Sequence, residues 1–156
     1  MSDKNIKDGS FKSKKRSIRE GAFLLYFEKL FRDDGIDEIY SAFVEADSSD
    51  GELEITQESV ALAKAVESCE SELDEIISRF SKKRAISRIP KINLALLRLS
   101  LYEAVYVESV PENVAISEAV ALAQKYTYDS DVGFINGVLG SYSRSEKGDG
   151  DDTESE

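Results

Sequence analysis

Pro90–Val107, PKINLALLRLSLYEAVYV, is the stretch whose reading decides the fold. On a helix its apolar residues keep to no single stripe. Ile92, Leu94, Ala95, Leu96, Leu97, Leu99, Leu101, Tyr102, Ala104 and Val105 point in nearly every direction. A helix that is apolar all round either spans a membrane or sits at the centre of a soluble bundle. Lys91, Arg98 and Glu103 interrupt this one, and the uncharged run falls short of the roughly 20 residues a bilayer requires. The reading is therefore a core helix in an all-α soluble domain, with other helices packed around it.

The flanks support that reading. The only two prolines, Pro90 and Pro111, each stand where a helix begins, as expected of a helical chain with short connections. Ahead of Pro90 runs a basic connection, Ser81–Arg88, SKKRAISR. Clustered cations in a loop are reasonable phosphate contacts. Behind the core helix, Glu108-Ser109-Val110 links to a helix over Glu112–Tyr126, with Val114, Ala115, Glu118, Ala119, Leu122 and Ala123 along its buried side. Thr127–Asp129 breaks the pattern, and Ser130 caps a last helix to about Tyr142 whose apolar set is Phe134, Ile135, Val138 and Leu139. Gly133 and Gly137 each cost this helix about 1 kcal/mol relative to alanine, which points to close approach of another helix or a ligand.

Toward the N-terminus, residues 1–12 are polar and aperiodic and read as a flexible basic arm. Ser13 or Ser17 then caps a first helix reaching about Phe31, with Phe23, Phe27 and Leu30 as its stripe, widened by Leu24 and Phe31. Asp33-Asp34-Gly35 signals a turn, and Ile36–Ala46 a second helix. Asp47–Gly51 is a loop by composition and lacks the spacing of a calcium-binding loop. A long helical pattern covers about Leu53–Phe80, with a weak point at VESCESELDE where it bends or breaks. From Ser143 onward the acidic, low-complexity sequence reads as a disordered tail. The organisation is thus an arm (1–12), one helical domain (13–142) and a tail (143–156).

Composition narrows the chemistry. The chain has no histidine, which excludes His-based acid–base catalysis and His metal ligation. Its single cysteine, Cys69, forms no internal disulfide and lies among Glu67, Glu70 and Glu72, which disfavour a thiolate. No apolar run near the start resembles a signal-peptide core, and a reducing cytoplasm is the expected compartment. The acidic cluster around Glu67–Glu75 reads as a solvated face. There is no Gly-rich phosphate loop, zinc spacing or nucleophile elbow, so no catalytic residue, metal or cofactor is expected.

The charge is divided unequally. The net charge is −11, yet residues 1–19 hold seven cations (Lys4, Lys7, Lys12, Lys14, Lys15, Arg16, Arg19) against Asp3 and Asp8. That is a local surplus of +5, which leaves −16 on the remainder. Such asymmetry suits a protein that holds a polyanion at one edge and repels it elsewhere.

Four blocks, IREGAFLLYFEKL, ALLRLSLYEAVY, VPENVAISEAVALAQKY and FINGVL, in this order and at these distances, resemble the NusB family of bacterial transcription antitermination proteins. The resemblance covers about Lys14–Ser141. It implies a compact bundle of about seven helices in two sub-bundles. It also implies binding to the single-stranded boxA element of nascent ribosomal RNA, jointly with NusE, a small-subunit ribosomal protein, on elongating RNA polymerase. The family's arginine-rich start of helix 1 corresponds here to Lys14, Lys15, Arg16 and Arg19. Lysine keeps the charge but lacks the bidentate fork, which favours phosphate over base contacts. Phe134 takes the place of an aromatic beside the RNA, and Asn93 that of a polar residue facing it. Two positions depart from the pattern: Gly133 replaces a lysine common in relatives, and Ser130 replaces an acidic residue, with Asp129 and Asp131 flanking it.

Three function classes follow. The first is a non-catalytic RNA-binding adaptor with no membrane association. The second is an enzyme-linked module, since a NusB-like domain also fronts ribosomal RNA cytosine methyltransferases, but this sequence carries no large catalytic domain. The third is a helical protein–protein interaction module without RNA binding, whose lysines serve only solubility. Salt-dependent RNA binding separates the first from the third.

Overall fold

The structure, a computed structural model, describes residues 2–46 and 55–147, with side chains from residue 14 onward. Among the described residues the chain forms seven α-helices, one short 3-10 turn and no strand. It divides into two compact units, Met1–Ser68 and Cys69–Glu156. The expected all-α class in two sub-bundles is what the chain adopts.

The first unit comprises α1 (Ser2–Lys29), α2 (Ile36–Ala46) and α3 (Gln57–Ser68). Of the stripe read on α1 only Phe23 is fully buried, with Leu24, Phe27 and Leu30 half-buried; Ala22, Leu25 and Tyr26 join Phe23 in the core with Ile36 and Ile39 of α2 and Val60, Ala63 and Val66 of α3. Phe31, expected to widen the stripe, lies past the helix end and is exposed, with its edge on the Phe27 ring at 5.1 Å. α1 and α3 come close together at Gly21. A Cβ there would lie 2.6 Å from Ser59 Oγ and 3.1 Å from Ser59 Cβ. Ser59, fully buried, donates its hydroxyl to the Ile18 carbonyl at 3.1 Å, so α3 is fastened to α1 where α1 has no side chain.

The helix α1 starts earlier than the sequence suggested. Its backbone is helical from Ser2, so neither Ser13 nor Ser17 caps it. No proline interrupts residues 2–20, and a helix nucleated by the packed segment around Phe23 propagates upstream at little cost per residue. Lys14, Lys15, Arg16 and Arg19 consequently sit well inside the helix. They lie beyond the first turn, which is where the helix dipole would penalise a cation.

The weak point in the long helical pattern is a true break. α3 ends at Ser68, whose hydroxyl donates back to the Ala65 carbonyl at 2.7 Å. Cys69 leaves helical geometry at φ −111° and ψ 14°, and α4 (Glu70–Phe80) begins. The segment from Asp47 to Glu54, including the Asp47–Gly51 loop, lies outside the described residues.

In the second unit α4 leads through a 3-10 turn (Ile86–Arg88) to α5 (Lys91–Tyr106), then α6 (Glu112–Tyr126) and α7 (Asp129–Glu146). Pro90 and Pro111 each directly precede a helix, and their carbonyls accept the first intrahelical bonds from Leu94 at 2.9 Å and Ala115 at 3.0 Å. α5 is the centre of the unit, with α4, α6 and α7 all packed on it. Every residue from Asn93 to Leu101 is buried, as a helix without a polar face requires. Ala115, Ala119 and Ala123 let α6 lie close to it, and Ser100 Oγ donates to the Ala115 carbonyl at 3.1 Å. Val114, assigned to the buried side, is exposed instead. The charge inside α5 is neutralised across helices: Arg98 donates two hydrogen bonds of 2.8 Å to the Asp74 carboxylate of α4, and Glu70 lies 3.6 Å away.

The start of α7 also differs from expectation. Tyr128, not Ser130, is the capping residue, and Asp131 accepts its N–H at 3.3 Å. A carboxylate in the first turn both satisfies a free amide and faces the positive end of the helix, which a neutral serine does less well. The helix runs past Tyr142 to Glu146, and residues 148–156 of the expected tail lie outside the described residues.

Candidate nucleic-acid interface

In the first unit the expected RNA-binding cations separate into two kinds. Lys14, Lys15 and Arg16 are exposed on α1. Arg19 is buried, at 6% exposure. Arg19 stands one turn beyond Lys15 and Arg16 on the same side of α1, and it is covered where they reach solvent. Arg19 is therefore less available to solvent than the three cations before it.

In the second unit the relevant side chains gather where α7 starts beside the N-terminus of α5. Asn93, expected to face outward, is completely buried. Its Nδ2 donates to Asp131 Oδ1 at 3.0 Å, while the other oxygen of that carboxylate caps α7. Asp131 thus ties the α7 start to α5. Asn93 Oδ1 is buried without a hydrogen-bond partner among the described residues. Such an acceptor costs about 1–3 kcal/mol unless something donates to it.

Phe134 follows Asp131 by one helical turn, on the same face of α7, and is half-buried. The Arg84 guanidinium lies over its ring, with Cζ 4.5 Å from the centroid. Sequence reading noted Arg84 only as part of a basic connection; that it meets Phe134, fifty residues later, is a product of the fold. A short turn holds it there: the Arg84 N–H donates to the Ser81 carbonyl at 2.9 Å, and the buried Ser81 hydroxyl donates to the Arg84 carbonyl at 3.1 Å. Lys82 and Lys83 on this turn are exposed.

Gly133 and Gly137 do not serve helix packing. A Cβ at either position would meet nothing within 4 Å, so the expectation that another helix approaches them is overturned. The face of α7 beside Phe134 is open.

No group of three or more Cys, Asp and Glu among the described residues is placed to hold a metal ion. The chemistry offered is recognition: exposed cations, an aromatic ring carrying a guanidinium, and a capped helix start.

Comparison with known proteins agrees with the resemblance read from the sequence. The profile of the NusB family matches residues 16–144. The transcription antitermination protein NusB of Natranaerobius thermophilus is 35% identical over 127 residues, covering 80% of this chain and 91% of that protein. The NusB protein of Clostridium botulinum is 39% identical over 122 residues, covering 78% and 91%. Among solved structures, the antitermination factors NusB and NusE in complex with double-stranded RNA include a chain that superposes with a TM-score of 0.68. Its identity is 22%, and the match covers 81% of this chain and 93% of that one. T. maritima NusB superposes with a TM-score of 0.66 at 24% identity, covering 80% and 87%. At those identities the structural likeness carries the fold; the family is carried by a profile match over most of the chain and by relatives above 30% identity along nearly their whole length. On that ground, this chain belongs to the NusB family.

Proposed function

We propose that this protein is a non-catalytic transcription antitermination factor that binds the boxA element of nascent ribosomal RNA together with NusE on elongating RNA polymerase. It does so in the cytoplasm; no helix among the described residues is long and apolar enough to cross a membrane. The observation that carries the RNA-binding part is the exposure of Lys14, Lys15 and Arg16 on α1 of a chain whose net charge is −11. Cations grouped on one helix of an acidic protein attract a polyanion to that helix. The RNA-contacting set is Lys14, Lys15, Arg16 and Phe134, while Arg19 and Asn93 are buried.

Salt-dependent binding tests this. Each phosphate contact on a single strand contributes a slope of about −0.7 in log affinity against log salt. Replacing Lys14, Lys15 and Arg16 by alanine is expected to weaken boxA-like RNA binding strongly and to flatten that slope by about 2. A folded triple variant, still competent for NusE, that binds RNA as tightly as the parent at every salt concentration would refute the assignment. It would leave the helical protein–protein module as the better account.

A further inference from the structure

The turn between α4 and the 3-10 segment carries three successive cations, Lys82, Lys83 and Arg84, all exposed. In a chain with 31 carboxylates, none of the three is ion-paired among the described residues. By contrast Arg32 and Arg98 each engage two carboxylates, and Lys29 and Lys64 each engage one. Arg84 is placed on an aromatic ring instead of a carboxylate, and its carbonyl and N–H are both tied to Ser81, so its position is set by backbone as well as by the ring. A guanidinium has two planar faces. Phe134 covers one, and the other is presented to solvent on an exposed residue. Alongside, Gly133 leaves open space where a side chain would stand.

We propose that the Arg84–Phe134 stack is a base platform: one unpaired nucleobase of a bound RNA strand lies on the outer face of the Arg84 guanidinium, and Lys82 and Lys83 meet the flanking phosphates. The proposal rests on the RNA-binding reading above and assigns that reading a second contact region with its own chemistry. Planar guanidinium groups stack on bases as aromatic rings do, and the ring beneath keeps the guanidinium flat and in place. Lysine retains the charge but has no face to stack on. The platform also supplies a cation beside the α7 aromatic in a chain that has glycine at position 133.

The test uses the full chain, a short single-stranded boxA-like RNA, and derivatives of it made abasic at one nucleotide at a time. For the parent, one abasic position is expected to weaken binding by about tenfold, the size of one lost base stack. Arg84→Lys is expected to bind the intact RNA about tenfold more weakly with an unchanged salt slope, and to be insensitive at that abasic position. Phe134→Leu, which keeps an apolar side chain but removes the flat support, is expected to reproduce both effects, with circular dichroism confirming its fold. Arg84→Lys that keeps parental affinity and the parental abasic profile overturns the platform. If the Lys14, Lys15 and Arg16 replacement still abolishes binding in that case, the RNA-binding reading survives and only the platform falls. Failure of the parent to bind the RNA at all overturns both.

Discussion

Gly21→Ala is the substitution on which helix propensity and tertiary packing disagree in sign. Alanine in place of a mid-helix glycine is worth about 1 kcal/mol of stabilisation by propensity alone. Here the new methyl would lie 2.6 Å from Ser59 Oγ and 3.1 Å from Ser59 Cβ, with Ile55 at 3.4 Å. Ser59 has nowhere to swing, since it is fully buried and its hydroxyl is committed to the Ile18 carbonyl. Either α3 moves away from α1 or the hydroxyl loses its partner. Overpacking of this kind costs roughly 2 kcal/mol, and the hydrogen bond about 1 more. Set against the propensity gain, the net expectation is a destabilisation of about 2 kcal/mol. Urea denaturation followed by helical circular dichroism measures it. The control is the Ser59→Gly background, which removes both clashing atoms; there Gly21→Ala should stabilise, by up to about 1 kcal/mol. If Gly21→Ala stabilises the parent, α1 and α3 do not approach as closely as described, and the account of the first unit fails.

The buried Arg98 gives a second asymmetry. Asp74→Ala leaves a guanidinium at 7% exposure without its bidentate partner and should cost about 3 kcal/mol, whereas Arg98→Met, which removes the buried charge, should cost less. Equal losses in denaturant titrations would mean that the pair is solvated and the burial overstated. A third prediction concerns alkaline pH. Burial, with Glu146 and Glu112 nearby, pushes the Tyr142 phenol up to about 12. A group whose pKa is raised in the folded state contributes stability that is complete below its unfolded pKa of about 10 and is lost as pH climbs through the folded value. Tyrosinate absorbance should therefore show Tyr142 among the late-titrating phenols, and Tyr142→Phe should lower the amplitude of the late phase by one of the seven tyrosines. A late phase of unchanged amplitude in the variant would refute the assignment to Tyr142.

The sequence by itself determined the class of fold and its centre. A segment apolar on every side but too short and too charged for a bilayer has one stable solution, burial among other helices, and α5 is buried from Asn93 to Leu101. The two prolines marked helix starts because a residue without an N–H is harmless only there, and the weak apolar content around Cys69 marked a break because nothing held the helix to a core. The sign asymmetry was likewise legible, since charge is a property of the chain before it folds. What the tertiary structure decided is which polar residues remain available. Arg19 and Asn93 look like surface groups in a sequence, where burial has no signature for an isolated polar side chain. In the folded protein one is covered, and the other is held by Asp131, thirty-eight residues away. Gly133 and Gly137 suggested close packing and have none, while Gly21, unremarked in the sequence, has it, because a glycine records only the absence of a side chain and not what stands opposite. The pairing of Arg84 with Phe134 is of the same kind. Each residue is ordinary in its own segment, and only the packing of α7 beside the α4–α5 connection puts a guanidinium on the ring.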